Sequence, residues 1–293
     1  MGTVAALLKT VRPHQWIKNV FVATPLVFAK HLIDATYLTK TAIAVLAFCA
    51  LSGAVYAFND VHDAEADRAH PRKRHRPVAS GALSERAALA FAGFLAVGAL
   101  AACLALSWKL AAFAVAYLVQ NILYSVRLKH VAFVDIALIA SGFLLRVLGG
   151  AAAIDVPASG WLLVCTALLA MLLGLGKRAH ELAWAERTGG AATTRAALAG
   201  YRMPVVQVAI LILAVATCGA YVAYTLDAHT IAFFGTDRLI YSAPLVALAI
   251  VRFLMLALWR PKDDSPTEAM LKDPLFLALL AATTATVLYA IYG

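Results

Sequence analysis

Asn59, Asp60, Asp63 and Asp67 put four oxygen-bearing side chains into the run NDVHDAEADRAHPRKRHR at 59–76. Residues four apart share one face of a helix, so Asn59, Asp63 and Asp67 align, and Asp60 lies one position on, able to close on the same pocket. Such hard oxygens suit Mg²⁺, with Mn²⁺ as an alternative. That ion keeps a few protein oxygens and completes its shell with substrate phosphates. The bases that follow, Arg68, Arg72, Lys73, Arg74 and Arg76, suit a phosphorylated ligand. Acids ahead of a basic run can simply pair with it as a solvated helix end, and a basic run can be a membrane-side anchor. Neither explains four oxygen ligands closing an otherwise apolar segment. Together the acids and bases point to metal–diphosphate chemistry.

Two further stretches carry polar groups between apolar segments. In YSVRLKHVAFVD (124–135) the polar members include Tyr124, Lys129 and Asp135. An acid at the start of an apolar span needs a partner. Arg146, eleven residues on, falls on the same face but about 16 Å along the helix, too far to serve. Arg146 therefore needs its own anion, a carboxylate on another span or a ligand phosphate. Gly142, Gly149 and Gly150 permit close helix packing around it. In GLGKRAHELAWAERTGG (174–190), Lys177 and Glu181 are spaced to pair on a helix surface, and Lys177 and Arg178 could instead face phosphate.

The elements that must position these groups are membrane helices. The chain is 63% hydrophobic and 14% charged over 293 residues, against about 45–50% and 25% in soluble domains. Apolar runs of roughly 18–22 residues mark spans. Nine are expected, at 17–33, 40–58, 85–107, 109–126, 132–153, 159–176, 203–225, 239–259 and 274–292. Pro25 makes the first the weakest. The expectation is an all-α, polytopic bundle of nine transmembrane helices in one domain, 1–293, with a polar cavity at the cytoplasmic side. Most of the 25 lysines and arginines fall in alternate loops, which puts the N-terminus inside and the C-terminus outside. The loops at about 59–84, 124–131 and 177–202 then share the cytoplasmic face. A site there can take a soluble substrate and a lipid. The four cysteines lie apart in apolar segments and read as inert thiols. No cleavable signal peptide is expected, and nothing beyond net charge suggests nucleic acid.

The pattern NDxxDxxxD closing the second span resembles the UbiA superfamily of intramembrane prenyltransferases. That resemblance implies a helical bundle binding a prenyl diphosphate through Mg²⁺ held by two acidic motifs. The second motif is missing here, because the corresponding loop reads GKRAHEL. The strings RPHQWIKNVFVATPLVFA (12–29), NDVHDAEADRAHPRKRHRPVASG (59–81), YSVRLKH (124–130) and GKRAHELAWAERTGG (176–190) more closely resemble the decaprenyl-phosphate phosphoribosyltransferases of that superfamily.

That closer resemblance implies 5-phosphoribosyl 1-diphosphate as donor and a polyprenyl phosphate as acceptor. The product would serve cell-wall arabinan synthesis in a bacterial inner membrane. It implies Asn59, Asp60, Asp63 and Asp67 as metal ligands, with the three aspartates and Lys177 catalytic. Arg68, Lys73, Arg74 and Arg76 would grip the donor. Lys18, Tyr124, Lys129, Arg146, Arg178 and Glu181 would complete the substrate contacts. Two alternatives stand beside it. One is a prenyltransferase with an aromatic acceptor, which needs a second acidic site. The other is a lipid-phosphate carrier or flippase, which expects polar groups on both membrane faces. A homo-oligomer is left open.

Overall fold

The computed structural model describes residues 2–69, 73–187, 198, 200–259 and 266–293. Arg72 and, in the loop at about 177–202, residues 188–197 and 199 lie outside these. Among the described residues there are helices and turns but no strands, and eight helices are long and apolar enough to cross a membrane. Lipid offers no partner for backbone N–H and C=O groups, so helices that satisfy their own are the way through. The chain is a multi-pass membrane protein. Its contacts divide into two units, residues 1–129 with 142–158 and residues 130–141 with 159–293.

In the first unit, α1 (Thr3–Val11) leads into a 3₁₀ segment (Pro13–Val22), then α2 (Thr24–Phe28). α3 (Ala35–His62) follows, capped by Asp34, whose carboxylate accepts from the Thr36 and Tyr37 amides. Its 28 residues extend about 42 Å, well beyond a hydrocarbon core of about 30 Å. Asn59 and Asp60 lie in its last turn, at the end of the apolar run. Asp63 ends α3, and α4 (Ala64–Ala69) holds Asp67. α5 (Glu85–Leu106) starts on the Ser84 cap and α6 (Trp108–Val126) on the Ser107 cap. α7 (Val134–Ala153) gives its later turns to this unit. Phe48, Leu51, Leu110, Val22 and Tyr117 form the main core. A smaller apolar cluster, Ala6, Ala64, Val78, Leu83 and Ala88, sits α1 on the 64–88 region.

The span expected at 17–33 is not one α-helix. Proline at both 13 and 25 interrupts α-helical bonding. The ten 3₁₀ residues rise about 20 Å, two-thirds of the hydrocarbon thickness. Gly150 of α7 accounts for how closely this segment is held, since a Cβ there would lie 1.9 Å from the Val22 carbonyl oxygen. The other eight expected spans match helices to within a few residues, except that the 159–176 span continues as α8 (Gly160–Arg187).

The second unit contains the start of α7, α8, α9 (Met203–Leu226), α10 (Ala228–Phe234), α11 (Ala243–Leu254), α12 (Pro266–Lys272) and α13 (Pro274–Tyr292). Its core gathers Ile136, Leu172, Leu175, Val206, Ile210 and Phe253. Arg252 binds Asp273 through two bonds, of 3.1 and 2.6 Å, and Asp273 also caps α13. The polar stretch before α13 is thus in part a helix, α12, followed by an anchored cap. Residues 263–265 lie outside the described ones. In both units large apolar side chains such as Phe94, Val97, Leu211 and Val215 face outward, as a lipid-facing surface requires.

Candidate active site

In the first unit the acidic residues meet cations, each from a different element. Asp60, 1% exposed, pairs with Arg12 from the junction of α1 and the 3₁₀ segment. Arg76 Nη1 lies 2.5 Å from Asp67 Oδ2 and 3.5 Å from Asp60 Oδ1, so one guanidinium nitrogen serves both buried acids. Lys129 Nζ lies 2.7 Å from Asp63 Oδ1. Asn59 Oδ1 is shielded from solvent and accepts no hydrogen bond among the described residues.

The expected metal quartet is therefore collected but not focused. Among the described residues no three acidic, His or Cys side chains converge as a ready metal cage. Asp60 and Asp67 share Arg76, while Asp63 turns to Lys129. The donor chemistry nevertheless fits a hard divalent ion. A buried amide oxygen without a donor is costly, and a cation beside the neighbouring carboxylates would satisfy it.

The basic run divides. Arg76 enters the cluster. Arg68 is exposed and pairs with Glu85 at 3.3 Å. Arg74 is exposed and contacts His75. Lys73, Lys18 and Tyr124 are half-buried. Pro77, Val78 and Ala79 are buried, and Gly81 takes φ +77° to turn the chain back toward α5.

Deeper in the same unit Arg146, 7% exposed, is held by neutral groups. Its Nε donates to Asn19 Oδ1 at 2.8 Å, Nη1 to the Gly142 carbonyl at 2.9 Å and Nη2 to the Tyr117 hydroxyl at 2.8 Å. Its guanidinium also lies 4.6 Å from the Tyr117 ring centre. Ser52 joins Asn19 to Tyr117, and Asn19 donates to Cys49 Sγ. No carboxylate partner of Arg146 is found among the described residues, contrary to one expectation from sequence. Three oriented oxygens and a π face replace it.

The second unit supplies the partner that Asp135 required. Arg178 Nε lies 2.9 Å from Asp135 Oδ2, and both side chains are almost fully buried. Arg178 also pairs with Glu181, so Glu181 goes to Arg178 at i,i+3. Tyr201 donates to Asp135 Oδ1 at 2.5 Å and accepts from the Phe133 amide at 2.8 Å. Burial and the bond donated to Asp135 push the Tyr201 hydroxyl well above the usual phenol range. Lys177, next to Arg178 in sequence, is half-buried.

Sequence reasoning missed Arg12, Asn19, Ser52, Tyr117 and Tyr201. A polar Asn inside an apolar run is itself a signal of function or polar packing. Arg12 heads the 12–29 string that carries the resemblance, but nothing in local spacing tied it to the acids.

The chain resembles known proteins along its whole length. The model of the UbiA prenyltransferase family matches residues 20–289. A decaprenyl-phosphate phosphoribosyltransferase of Mycolicibacterium smegmatis is 34% identical over 99% of this chain and 93% of its own. One of Corynebacterium glutamicum is 31% identical over 98% and 86%. A UbiA homologue from Archaeoglobus fulgidus, solved with GPP and Mg²⁺, superposes with a TM-score of 0.73 at 15% identity, covering 97% of this chain and 98% of its own. That last likeness concerns the fold, which is the all-α membrane bundle. With the family model and the full-length relatives in agreement, the chain belongs to the UbiA prenyltransferase family.

Proposed function

We propose that this chain transfers the 5-phosphoribosyl group of 5-phosphoribosyl 1-diphosphate to a polyprenyl phosphate and releases diphosphate. The observation that carries this reading is the 34% identity, over 99% of the chain, to a decaprenyl-phosphate phosphoribosyltransferase. The interleaving of Asp60, Asp63 and Asp67 with Arg12, Arg76 and Lys129 supports it, because a diphosphate–metal pair needs both signs of charge.

Asn59, Asp60, Asp63 and Asp67 would hold Mg²⁺, which supplies neutralisation of the charge building on the diphosphate. Arg76 and Lys129 orient the donor's phosphates, with Lys73 and Arg74 closing from the loop side. A lipid phosphate is ionised near neutral pH, so the acceptor needs no general base. Its oxygen bonds to the anomeric carbon as the bond to diphosphate breaks, in line and with inversion. The protein's contribution is positioning and fixed positive charge. Arg146 in its neutral cage fixes the inner end of the first unit. Arg178 holds Asp135 and Glu181 in the second unit, and Lys177 of α8 is a further candidate phosphate-binding cation there. The N-terminus and the site face the cytoplasm, as the loop charges favour, and the C-terminus lies outside, with the 13–28 segment crossing as a ninth, irregular element beside the eight long helices among the described residues.

Purified protein supplied with polyprenyl phosphate, Mg²⁺ and either labelled 5-phosphoribosyl 1-diphosphate or labelled prenyl diphosphate tests the reading. Label from the first should enter the lipid phase with release of diphosphate. Consumption of the second alone would overturn the proposal in favour of a prenyltransferase.

A further inference from the structure

Arg12 is held in an unfavourable conformation next to the acidic cluster. Its φ of 49° lies in the left-handed region, at a cost of roughly 1 kcal/mol or more for a residue with a Cβ. The turn it makes joins α1 to the 3₁₀ segment and is braced by Trp16, whose indole N–H donates to the Val11 carbonyl at 3.1 Å. The outcome is a guanidinium 5.0 Å from the Tyr56 ring centre and paired with Asp60, one helical turn further along α3. Asp60 is sealed at 1% exposure, whereas the Arg12 side chain keeps 22%. A guanidinium has five N–H donors in a planar fork. Nη2 serves Asp60, and donors remain on the accessible side.

Arg12 is also one of three like pairings. Arg76 and Lys129 stand against Asp67 and Asp63 as Arg12 stands against Asp60. Three cations and three anions leave the cluster near neutrality. A divalent ion drawing on the carboxylates would leave the three cations without their counter-ions. A phosphoribosyl diphosphate carrying one divalent ion retains roughly three negative charges near pH 7, which three such cations would match.

We propose that Arg12 is a donor-phosphate-binding residue, stored on Asp60 and transferred to the donor's phosphate oxygens when the carboxylates turn to a divalent ion. The proposal rests on the reaction proposed above for its donor. Its core, that metal and diphosphate bind as a coupled pair through Arg12, applies to any diphosphate substrate. A fixed salt bridge predicts the opposite, a metal affinity indifferent to the anion.

The test uses the full chain in detergent, with Mn²⁺ binding followed by electron paramagnetic resonance at controlled free Mn²⁺, with and without inorganic diphosphate. The wild type should bind Mn²⁺ at least about tenfold more tightly with diphosphate present, a coupling of about 1.4 kcal/mol. Arg12→Gln should bind Mn²⁺ alone no more weakly than the wild type and lose most of the gain. Arg12→Lys, which keeps the charge without the fork, should retain part of it and serves if the Gln variant does not fold. A gain of equal size in wild type and both variants overturns the proposal. So does a metal affinity that falls in parallel with and without diphosphate. Neither readout depends on which donor is turned over, so failure of the phosphoribosyl reading would appear separately, in the labelling experiment.

Discussion

Arg146 Nε donates to Asn19 Oδ1 at 2.8 Å, tying α7 to a segment 127 residues earlier in the chain. Asn19 is wholly buried, and the same oxygen lies 3.4 Å from Ser52 Oγ on α3. A single amide thus ties the 3₁₀ segment to two long helices. It also supplies part of the negative potential that a buried guanidinium requires when no carboxylate faces it.

Replacing Asn19 with Leu should therefore cost about 2–4 kcal/mol of stability, since it strips a buried charge of one of its three acceptors. Thermal unfolding in detergent measures this. An unchanged midpoint would show that the cage does not depend on Asn19.

Asp60→Ala and Asp63→Ala should each lower turnover about 100-fold at limiting Mg²⁺. Circular dichroism should confirm that the helices persist. If both variants turn over as the wild type does under those conditions, the metal assignment is wrong.

Asp135→Asn should destabilise the chain by about 1.5–3 kcal/mol, because the buried Arg178 would lose its fully buried partner and keep only the more exposed Glu181. The double variant Asp135→Leu, Arg178→Met should recover a large part of that loss, since an apolar pair of similar volume avoids burying either charge. A double variant as unstable as the single one would mean that Arg178 does more than balance Asp135.

Tyr201→Phe should cost about 1–3 kcal/mol by removing a bond to a buried carboxylate. The pH dependence follows from the sign of the shift. The folded hydroxyl titrates above the ordinary value of 10.0, so its stabilising effect is complete below that value and is lost only as pH rises through the folded pKa. The difference between wild type and variant should then be flat from about pH 6 to 9. A slope across that range would show that another group titrates with it.

The spans were legible because a hydrocarbon environment writes itself into composition over some twenty residues at a time. The acids were legible because they sit within two turns of one another. The pairings were not. Arg12 with Asp60, Lys129 with Asp63 and Arg146 with Asn19 are 48, 66 and 127 residues apart, and nothing in local spacing selects one partner over another. The first span misled for a different reason. Its apolar content was right for a membrane, but two prolines and the approach of the Val22 carbonyl to Gly150 impose a 3₁₀ path that hydropathy does not register.

The nine residues of α1 bring Arg12 to Asp60 and roof the small apolar patch formed with Val78 and Leu83. Trimming the N-terminus to ease expression would spare all eight helices that, among the described residues, are long and apolar enough to cross a membrane. Yet it would remove Arg12, the partner of Asp60 in the proposed site, and affinity handles fused there merit the scrutiny usually reserved for active-site substitutions.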